Sequence, residues 1–415
     1  MHEATGSVGL YVGLDWADKE HVAYVREPGA AGGVLERVRQ RPEELHAWIQ
    51  ELRIRSGGRR VAIGIEQSRG PVIWALMEYE FLDIYPINPL ALHRFAEARR
   101  VSGAKDDAMD AELAETMISS HADWLHPLQP DTEQTRRIRL MTEIRRKLVD
   151  QRTAVTNELT AALKQYYPQA LACGGGMETA LFGAFLRTYP TFEILSRETP
   201  EGVRAFYSKH RCRARKVIDE RLAMVRRSRA LTSDPAVIDS YRVLAEACLA
   251  ILTPLNESIA KLNVTIESAW REHPERQLFE SLPGAGPNLA PRLCAVFGED
   301  RERWSDARSL QQLSGIAPVR KQSGPIQTIG LRWNCSKFVR QTFHEFAAHS
   351  IRKSEWASIF YKRARNRGMK HHAAVRALAF RWIRVLFRCW MTRTPYDEAV
   401  YLEALKKSGS PLAAV

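Results

Sequence analysis

The chain has no long apolar run and no cysteine motif. It lacks an uninterrupted stretch of about 18 apolar residues, which a membrane-spanning helix requires, and its first residues lack the basic-then-apolar order of a signal peptide. Its six cysteines are scattered without a CxxC pair, a spacing that favours neither a zinc site nor a disulfide framework. These absences predict a cytoplasmic protein with reduced cysteines and no membrane partner.

Positive charge is abundant and unevenly distributed. The 415 residues carry a formal net charge of +13. Residues 1–125 contain 14 Lys and Arg against 20 Asp and Glu, whereas residues 303–390 contain 18 against 3. The middle of the chain, residues 131–230, has 20 against 11. An acidic N-terminal part and a strongly basic C-terminal part predict a polyanionic partner such as nucleic acid, contacted mainly by the C-terminal part.

The apolar pattern divides the chain into three predicted domains, because a single core rarely serves so long a chain. Strands at 8–14, 21–25, 60–65 and 81–87, with a helix at 42–52, predict an α/β domain over residues 1–125. We expect a helical domain over 126–275 and a mainly α-helical, basic domain over 276–415. The latter begins with the sequence Leu282-Pro-Gly-Ala-Gly-Pro287, which predicts a tight turn between helices.

The helical middle domain is expected to form a long arm. Helical periodicity runs from Thr132 to Tyr167 and again over 215–271, where we expect breaks near Pro235 and Pro254. Two such helices predict an antiparallel coiled-coil arm, with a small helical insertion between them. An arm of this kind also offers a surface for homo-oligomerisation, so we expect a dimer or a tetramer.

Four acidic residues form a candidate metal site in the N-terminal domain. Asp15 follows the first strand, Glu66 ends the strand at 61–65, and Asp107 and Asp110 share one face of a predicted helix. Carboxylates that converge repel one another unless a divalent cation is bound, and hard oxygen ligands suit Mg²⁺ or Mn²⁺. The alternative is that each acid is a solvated surface residue, as Asp18 and Asp106 are expected to be.

The order of these motifs resembles a known family. The order strand-Asp, strand-Glu, helix-Asp-x-x-Asp resembles the DEDD arrangement of RuvC-like nucleases. In the C-terminal half, Leu282-Pro-Gly-Ala-Gly-Pro287, Leu313-Ser-Gly-Ile-Ala-Pro318 and Gln322-Ser323-Gly324 resemble the DEDD insertion-sequence transposases of the insertion-sequence one-ten family, which includes Piv-type invertases. Further matching residues lie at Ile87-Asn88-Pro89, Phe95-Ala96 and Lys105-x-Asp107-x-x-Asp110-Ala111.

The resemblance implies a fold, a reaction and a set of partners. It implies a RuvC-like, RNase-H-like domain whose acids Asp15, Glu66, Asp107 and Asp110 are catalytic and bind metal. Ser323 falls on the family's catalytic serine, which implies a phosphoserine–DNA intermediate during strand exchange between donor and target DNA. Several such proteins are guided by a noncoding RNA that bridges the two DNAs, so a guide RNA is expected here. Ser314 is a competing candidate for the serine.

Basic residues surround the candidate serine. Five of them are expected to contact nucleic-acid phosphates: Arg320, Lys321, Arg332, Lys337 and Arg340. The stretch 332–340 lacks the lysine-glycine-asparagine pattern of many family members, which leaves the individual phosphate contacts open. Gly284 and Gly286 resemble a helix-hairpin-helix turn that exposes backbone N–H groups to a phosphate. A further cationic cluster extends over residues 363–372.

Three functions are compatible with these residues. The first is a transposase or site-specific recombinase in which the metal and the serine act on one phosphate. The second is a RuvC-like structure-specific endonuclease without a covalent intermediate, in which Gln322-Ser323-Gly324-Pro325 is only a polar turn. The third is a non-enzymatic nucleic-acid-binding protein, which the presence of all four acids and the serine disfavours.

Overall fold

We describe the protein from a computed structural model, over residues 7–99, 106–324 and 326–412. Within these ranges, only the backbone is described at Arg99, Lys321 and Ser323. The chain divides into two compact units, Met1–Pro130 and Asp131–Val415. Lys105 and Pro325, which belong to the predicted motifs, lie outside the described residues.

The first unit is a five-stranded mixed sheet covered by helices. The strand order is β3-β2-β1-β4-β5. Strand β2 is antiparallel to both of its neighbours, β1 and β3, whereas β4 is parallel to its neighbours, β1 and β5. This is the mixed α/β domain that the sequence predicts. Its elements are β1 (Val8–Asp15), β2 (Glu20–Arg26), β3 (Val34–Arg39), α1 (Pro42–Arg55), β4 (Arg60–Ile65), α2 (Pro71–Leu76), β5 (Leu82–Pro86), α3 (Pro89–Arg99) and α4 (Asp107–Ser120).

Both faces of this sheet are buried, which explains why the sequences of β1 and β4 are almost wholly apolar. On one face Leu10, Val12 and Ile63 pack against α1 and α2. On the other face Ala62 packs with residues of α3 and α4, among them Met117. The three layers hold the carboxyl ends of β1 and β4 in fixed positions.

A long antiparallel helix pair dominates the second unit. It consists of α5 (Glu133–Tyr166) and α11 (Pro235–Arg271), which are 34 and 37 residues long. The Gln134 side chain donates a hydrogen bond to the Ala269 carbonyl at 3.3 Å, and Arg145 bonds to Asn263. The start of α5 therefore lies beside the end of α11. The two helices form an antiparallel pair, and their supercoiling as a coiled coil stays a prediction.

The expected break near Pro254 is wrong, because α11 continues through this residue. Proline removes one backbone hydrogen bond and leaves the carbonyl four residues earlier without its donor. That carbonyl belongs to Ala250, and both Ala250 and Pro254 are exposed, so water can solvate it. The packing of α11 against α5 stabilises the helix despite the proline.

The insertion between the arm helices has its own hydrophobic core. Tyr167, Phe182 and Phe185 are fully buried in this core, together with Leu249 of α11. The insertion is therefore a packed subdomain at the end of the arm where α5 ends and α11 begins. Its helices are α6 (Gln169–Cys173), α7 (Ala180–Thr188), α8 (Phe192–Arg197), α9 (Pro200–Lys209) and α10 (Arg215–Arg227).

The remainder of the second unit is a helical domain with one β-hairpin. Its core is aromatic, and Phe343, Trp356, Trp382 and Trp390 are fully buried. The hairpin and three helices, α12, α16 and α18, were not predicted from the sequence. The elements are α12 (Arg276–Glu280), α13 (Gly286–Phe297), α14 (Ala307–Leu313), β6 (Val319–Ser323), β7 (Ile326–Gly330), α15 (Lys337–Ser350), α16 (Glu355–Asn366), α17 (His371–Thr392) and α18 (Glu398–Lys407).

Among the described residues, one helix reaches the length and mean hydropathy of a membrane span. This helix is α11, with a mean hydropathy of 1.4 over its most apolar window, of which 28% is buried. It is not an uninterrupted apolar run, because Glu246 and Glu257 lie within it. Core helices of soluble proteins reach the same values, so this observation is weak evidence for a membrane.

Candidate functional site

Asp15 and Glu66 lie at the same edge of the sheet. β1 and β4 are parallel neighbours in which Leu14 pairs with Ile65, and Asp15 and Glu66 are the next residues of the two strands. Both side chains are half-buried. The carboxyl ends of adjacent parallel strands thus bring two acidic residues together, as expected from the sequence.

Helix α4 crosses β1 and β4 at two glycines, just before these acids. A Cβ atom on Gly13 would stand 1.8 Å from the carbonyl oxygen of Ala111, and one on Gly64 would stand 2.9 Å from that of Ala114. Any side chain at Gly13 would overlap the helix backbone. Glycine at these two positions lets α4 lie almost directly on the sheet.

An ion pair fixes the direction of α4. The Arg26 guanidinium donates hydrogen bonds to the Glu115 carboxylate at 2.8 and 3.0 Å and to the Ser119 hydroxyl at 2.7 Å. Arg26 pairs with Tyr11 of β1, whereas Ala111 lies over Gly13, closer to Asp15. The helix therefore runs antiparallel to β1. Its first turn, which carries Asp107 and Asp110, extends toward the edge where Asp15 and Glu66 lie.

Other acids of this region have structural roles. The Asp106 side chain accepts a hydrogen bond from the Ala108 N–H at 3.2 Å and caps α4. Glu115 is 2% exposed and is occupied by Arg26. Asp18 is exposed in the turn after β1. These contacts separate the three residues from the candidate set, as expected for Asp18 and Asp106.

The donor chemistry at this edge suits a hard divalent cation, since four carboxylates supply only oxygen ligands. Across residues 7–99, 106–324 and 326–412, however, no group of three or more His, Cys, Asp or Glu side chains lies close enough to hold a metal ion. The backbone places the acids toward one edge without forming a ligand cluster. Their convergence on Mg²⁺ or Mn²⁺ stays a prediction.

A buried histidine holds the turn that follows Asp15. His21 accepts a hydrogen bond from the Ala17 N–H through Nδ1 at 3.1 Å, and its Nε2 contacts the Gln40 side-chain oxygen. These partners fit the neutral ring, with Nε2 as the donor. Burial lowers the pKa of His21, and the hydrogen bond with Gln40 opposes this shift. No local pattern in the sequence predicts this role of His21.

In the second unit, Ser323 is the last residue of β6, at the turn of an exposed hairpin. Its backbone pairs with Ile326 of β7, and Gly324 between them has a left-handed φ of 56°. Every residue of β7 is exposed. The side chains of Ser323 and of Lys321 lie outside the described part of the chain.

Ser314 is in a different environment. It is fully buried at the C-terminal end of α14. Its hydroxyl donates to the Gln311 carbonyl at 3.1 Å and accepts from the Ile316 N–H at 3.3 Å. These contacts make Ser314 a structural residue of the helix end, which favours Ser323 of the two candidate serines.

The base of the hairpin is held by Arg340. Its guanidinium donates to the Arg332 carbonyl and to the Cys335 sulfur, the latter at 2.5 Å. A Cβ atom on Gly315 would stand 2.6 Å from the same guanidinium. Arg340 thus has a positioning role for the loop after β7. Arg320 and Lys337 are exposed, and Arg332 is half-buried; phosphate contacts by all of these residues stay a prediction.

Exposed apolar side chains on and after the hairpin were missed by the sequence analysis. Ile326 and Ile329 are each 69% exposed, and Trp333 is 78% exposed. An unpacked tryptophan in a basic segment is a candidate surface for stacking on a nucleic-acid base. The sequence does contain a sign of this exposure. Trp333 lies between Arg332 and Lys337, in a stretch whose apolar residues do not recur at helical spacing.

The glycine turn and the cationic segment 363–372 complete the predicted nucleic-acid contacts. Gly284 lies between α12 and α13 and Gly286 begins α13, with left-handed φ angles of 84° and 55° that glycine accepts readily; a helix-hairpin-helix turn stays a prediction. In the cationic segment 363–372, the His371 Nδ1 lies 2.8 Å from the Tyr361 hydroxyl. Binding of nucleic acid by these two segments stays a prediction.

Two families of known proteins match most of these motifs. An IS110-type DEDD transposase family, described as "Transposase", matches residues 12–168. A second family, described as "Transposase IS116/IS110/IS902 family", matches residues 276–362. The first match contains Asp15, Glu66, Asp107 and Asp110, and the second contains Ser323.

Similar proteins cover almost the whole chain. The mini-circle putative transposase for IS117 of Streptomyces coelicolor is 29% identical over 411 residues, which span 94% of this chain and 96% of that protein. The uncharacterized 42 kDa protein of insertion element IS900 of Mycobacterium paratuberculosis is 24% identical over 94% of this chain and 97% of its own length. With both family matches in the right order, this chain belongs to the IS110 family of insertion-sequence transposases, enzymes that cleave and rejoin DNA.

Proposed function

We propose that the chain exchanges DNA strands through a metal-assisted attack of Ser323 on a phosphodiester. The observation that carries the proposal is the shared edge of β1 and β4, where Asp15 and Glu66 are adjacent and toward which the first turn of α4 extends. Such an edge is where α/β folds place catalytic residues. The basic hairpin that carries Ser323 supplies the nucleophile.

The acidic edge is the proposed metal site. Asp15, Glu66, Asp107 and Asp110 would hold Mg²⁺ or Mn²⁺, which neutralises the charge of a phosphate and lowers the pKa of an attacking hydroxyl. The rigid contact of α4 with Gly13 supports this role because it fixes the backbone of the helix that carries two of the acids. The ion pair between Arg26 and Glu115 keeps that helix from sliding.

The proposed covalent step is a transesterification. The Ser323 Oγ attacks phosphorus and loses its proton, a new P–O bond forms, and the P–O bond to the neighbouring deoxyribose breaks. The departing deoxyribose oxygen takes up a proton and becomes a hydroxyl. Attack by a hydroxyl of a second strand reverses the step, releases Ser323 and joins the new strand without an external energy source. Arg320, Lys321, Arg332, Lys337 and Arg340 would bind the phosphate oxygens.

The proposed partners are donor and target DNA and a noncoding guide RNA. Support for them comes from the charge of residues 303–390 and from the resemblance to RNA-guided members of the family. The turn at Gly284 and Gly286 would bind a backbone phosphate through its N–H groups. An enzyme that acts on chromosomal DNA in bacteria works in the cytoplasm, which is the location that we propose.

Strand exchange requires two DNA molecules to be held together, so we propose a dimer or a tetramer. The face of α11 opposite α5 carries exposed apolar and small residues, among them Val243, Ala247, Ala250 and Ile251. Val243 and Ile251 are 59% and 50% exposed. Burial of this stripe against a second copy of the chain would remove apolar surface from water. The stripe also explains why α11 has the hydropathy of a membrane span.

The proposal is tested by trapping the protein–DNA link. Wild-type protein with its element's DNA, the adjacent RNA and Mg²⁺ should give a denaturation-resistant adduct with a DNA end, and Ser323→Ala should lose it. Ser314→Ala is the matched control and should retain the adduct, at a stability cost of about 1 kcal/mol for the lost hydrogen bonds. Strand exchange in wild type without any adduct would favour the alternative, a RuvC-like endonuclease that uses water directly.

A further inference from the structure

The insertion at the end of the arm carries a cluster of positive charges, and none of them belongs to the residues assigned to the proposed reaction. Residues 209–229 contain nine lysines and arginines against two acids, Asp219 and Glu220. The segment comprises the end of α9, the loop after it, α10 and the start of the next loop. It lies between the two stretches matched by the transposase families, which end at residue 168 and begin again at residue 276.

Eight of the nine cations are exposed, and the ninth has a structural role. Arg221 is half-buried, with its guanidinium 5.1 Å from the centre of the Tyr207 ring. Six of the exposed cations lie on α10 and the loop before it, and we call them the tip patch: Arg211, Arg213, Arg215, Lys216, Arg226 and Arg227.

The charges of the tip patch are not neutralised by neighbours. In the part of the chain that the structure describes, none of the six forms an ion pair. Elsewhere in the same insertion, Arg197 pairs with Glu193, and Arg204 pairs with Asp219 at 2.7 Å. Asp219, one of the two acids on α10, is therefore already occupied. Unpaired guanidinium groups gathered on one surface repel one another, which a bound polyanion would relieve.

Helix α10 carries four of these cations, and all of them are exposed. Ile218 and Leu222 are buried against the insertion. On a helix with about 3.6 residues per turn, Arg215, Lys216, Arg226 and Arg227 fall within one third of the circumference, on the flank next to Leu222, and all four are exposed. Two pairs of cations thus stand at the ends of one helix face, roughly 16 Å apart at 1.5 Å rise per residue.

Folding does not account for Arg215 and Lys216, whereas Arg226 and Arg227 lie in the last turn of α10, where the helix macrodipole favours cations. The first turn of α10 contains no acid, and Ala214 at its N-cap makes no side-chain hydrogen bond. Cations at this end are unfavourable because the helix macrodipole is positive there. A protein partner is disfavoured as well, since Val217 is the one large apolar side chain on the exposed face of this described helix, at 39% exposure.

We propose that the tip patch binds the phosphodiester backbone of a nucleic acid, as a contact surface additional to the basic residues of 303–390. Five of its six residues are arginines, whose planar guanidinium groups match phosphate oxygens in pairs. Contacts of this kind are independent of base sequence and depend strongly on salt.

The test compares two full-length variants with the same change in net charge. The patch variant replaces Arg211, Arg213, Arg226 and Arg227 with Gln, and the control replaces four other exposed cations, Lys261, Arg271, Lys406 and Lys407, with Gln. Binding of a labelled duplex DNA of arbitrary sequence and of a labelled RNA hairpin is measured between about 50 and 200 mM salt. Circular dichroism verifies that both variants are folded.

We expect the patch variant to bind at least about tenfold more weakly than the control, with a slope of log K against log salt reduced by about 3. Loss with RNA only or DNA only would identify which backbone is bound. As a second readout, nucleic acid should protect Lys216 from an amine-reactive reagent and leave Lys261 reactive. Equal affinities and slopes of the two variants with both probes would overturn the proposal, as would Lys216 that stays fully reactive. Neither readout requires strand exchange, so failure here is distinguishable from failure of the Ser323 mechanism.

Discussion

The carbonyl oxygen of Ala111 occupies the space that a side chain on Gly13 would need. An added Cβ atom would lie 1.8 Å from that oxygen and 2.4 Å from the Glu115 nitrogen. The helix that carries Asp107 and Asp110 therefore touches the backbone of the strand that ends in Asp15. The distance between Asp15 and the two acids of α4 therefore depends on the lack of a side chain at Gly13, two residues before Asp15.

Gly13→Ala should destabilise the first unit and displace α4. Because the obstacle is helix backbone rather than a flexible side chain, the overlap is relieved only by a shift of the whole helix, at a cost of about 3 kcal/mol. Urea denaturation measures this loss. Gly32→Ala is the matched control, because a Cβ atom added at Gly32 would lie 4.0 Å from the Tyr24 hydroxyl oxygen, its nearest neighbour. Equal stability of the two variants would contradict the close contact.

Asp15→Asn and Asp110→Asn should each abolish strand exchange and leave nucleic-acid affinity within about twofold of wild type. Removal of a carboxylate empties the proposed metal site, whereas most of the positive charge is in other segments. Strand exchange and filter binding measure the two properties. Asp18→Asn, at an exposed position in the turn after β1, is the control and should be active. Full activity of the Asp15 and Asp110 variants would remove the metal hypothesis.

The stability of the first unit should fall as the pH falls below about 6.5. Burial lowers the pKa of His21 in the folded protein, so the unfolded chain binds a proton more readily. The contribution of neutral His21 is therefore complete above the unfolded pKa and is lost as the pH decreases through it. Protonation of Nδ1 also removes the acceptor for the Ala17 N–H.

His21→Gln provides the comparison for this pH effect. The free energy of unfolding should change less between about pH 7.5 and pH 5.5 in His21→Gln than in wild type. The two proteins differ only at residue 21, so the difference isolates His21. An identical pH dependence of the two proteins would show that His21 is not responsible.

Disruption of the apolar stripe on α11 should reduce the size of the assembly. Val243→Glu combined with Ile251→Glu places two charges where a second copy of the chain is expected to pack, which costs several kcal/mol in an apolar interface. Light scattering measures the mass with and without nucleic acid. Ala260→Glu, on an exposed position away from the stripe, should assemble normally. A wild-type protein that remains monomeric on DNA would rule out the proposed role of the arm.

Much of the candidate site follows from local sequence. An apolar run that ends in Asp15, and another followed by Glu66, predicts two acids at strand ends, because apolar periodicity is a property of a few consecutive residues. The exposed hairpin was missed for the same reason. Val319–Ser323 reads VRKQS, and without a buried face it has no alternation of apolar and polar residues that would identify a strand.

The motif alone does not determine which of the two serines, Ser314 or Ser323, is the better candidate nucleophile. Both serines lie in the family-like segment, nine residues apart in the sequence. The fold buries Ser314 in a helix end, where its hydroxyl has two backbone partners. Ser323 lies at the turn of a hairpin between exposed residues. Burial depends on residues far away in the chain, so spacing alone could not separate the two.

The sequence by itself determined the positions of the main helices and strands, the identity of the acids and the separation of negative from positive charge. These properties depend on each residue and its near neighbours. Only the tertiary structure decided that β4 pairs with β1 rather than with β3, that Gly13 lies under Ala111, and that α11 continues through Pro254. Each of these depends on the burial of one segment against another that is distant in sequence, which no local pattern records.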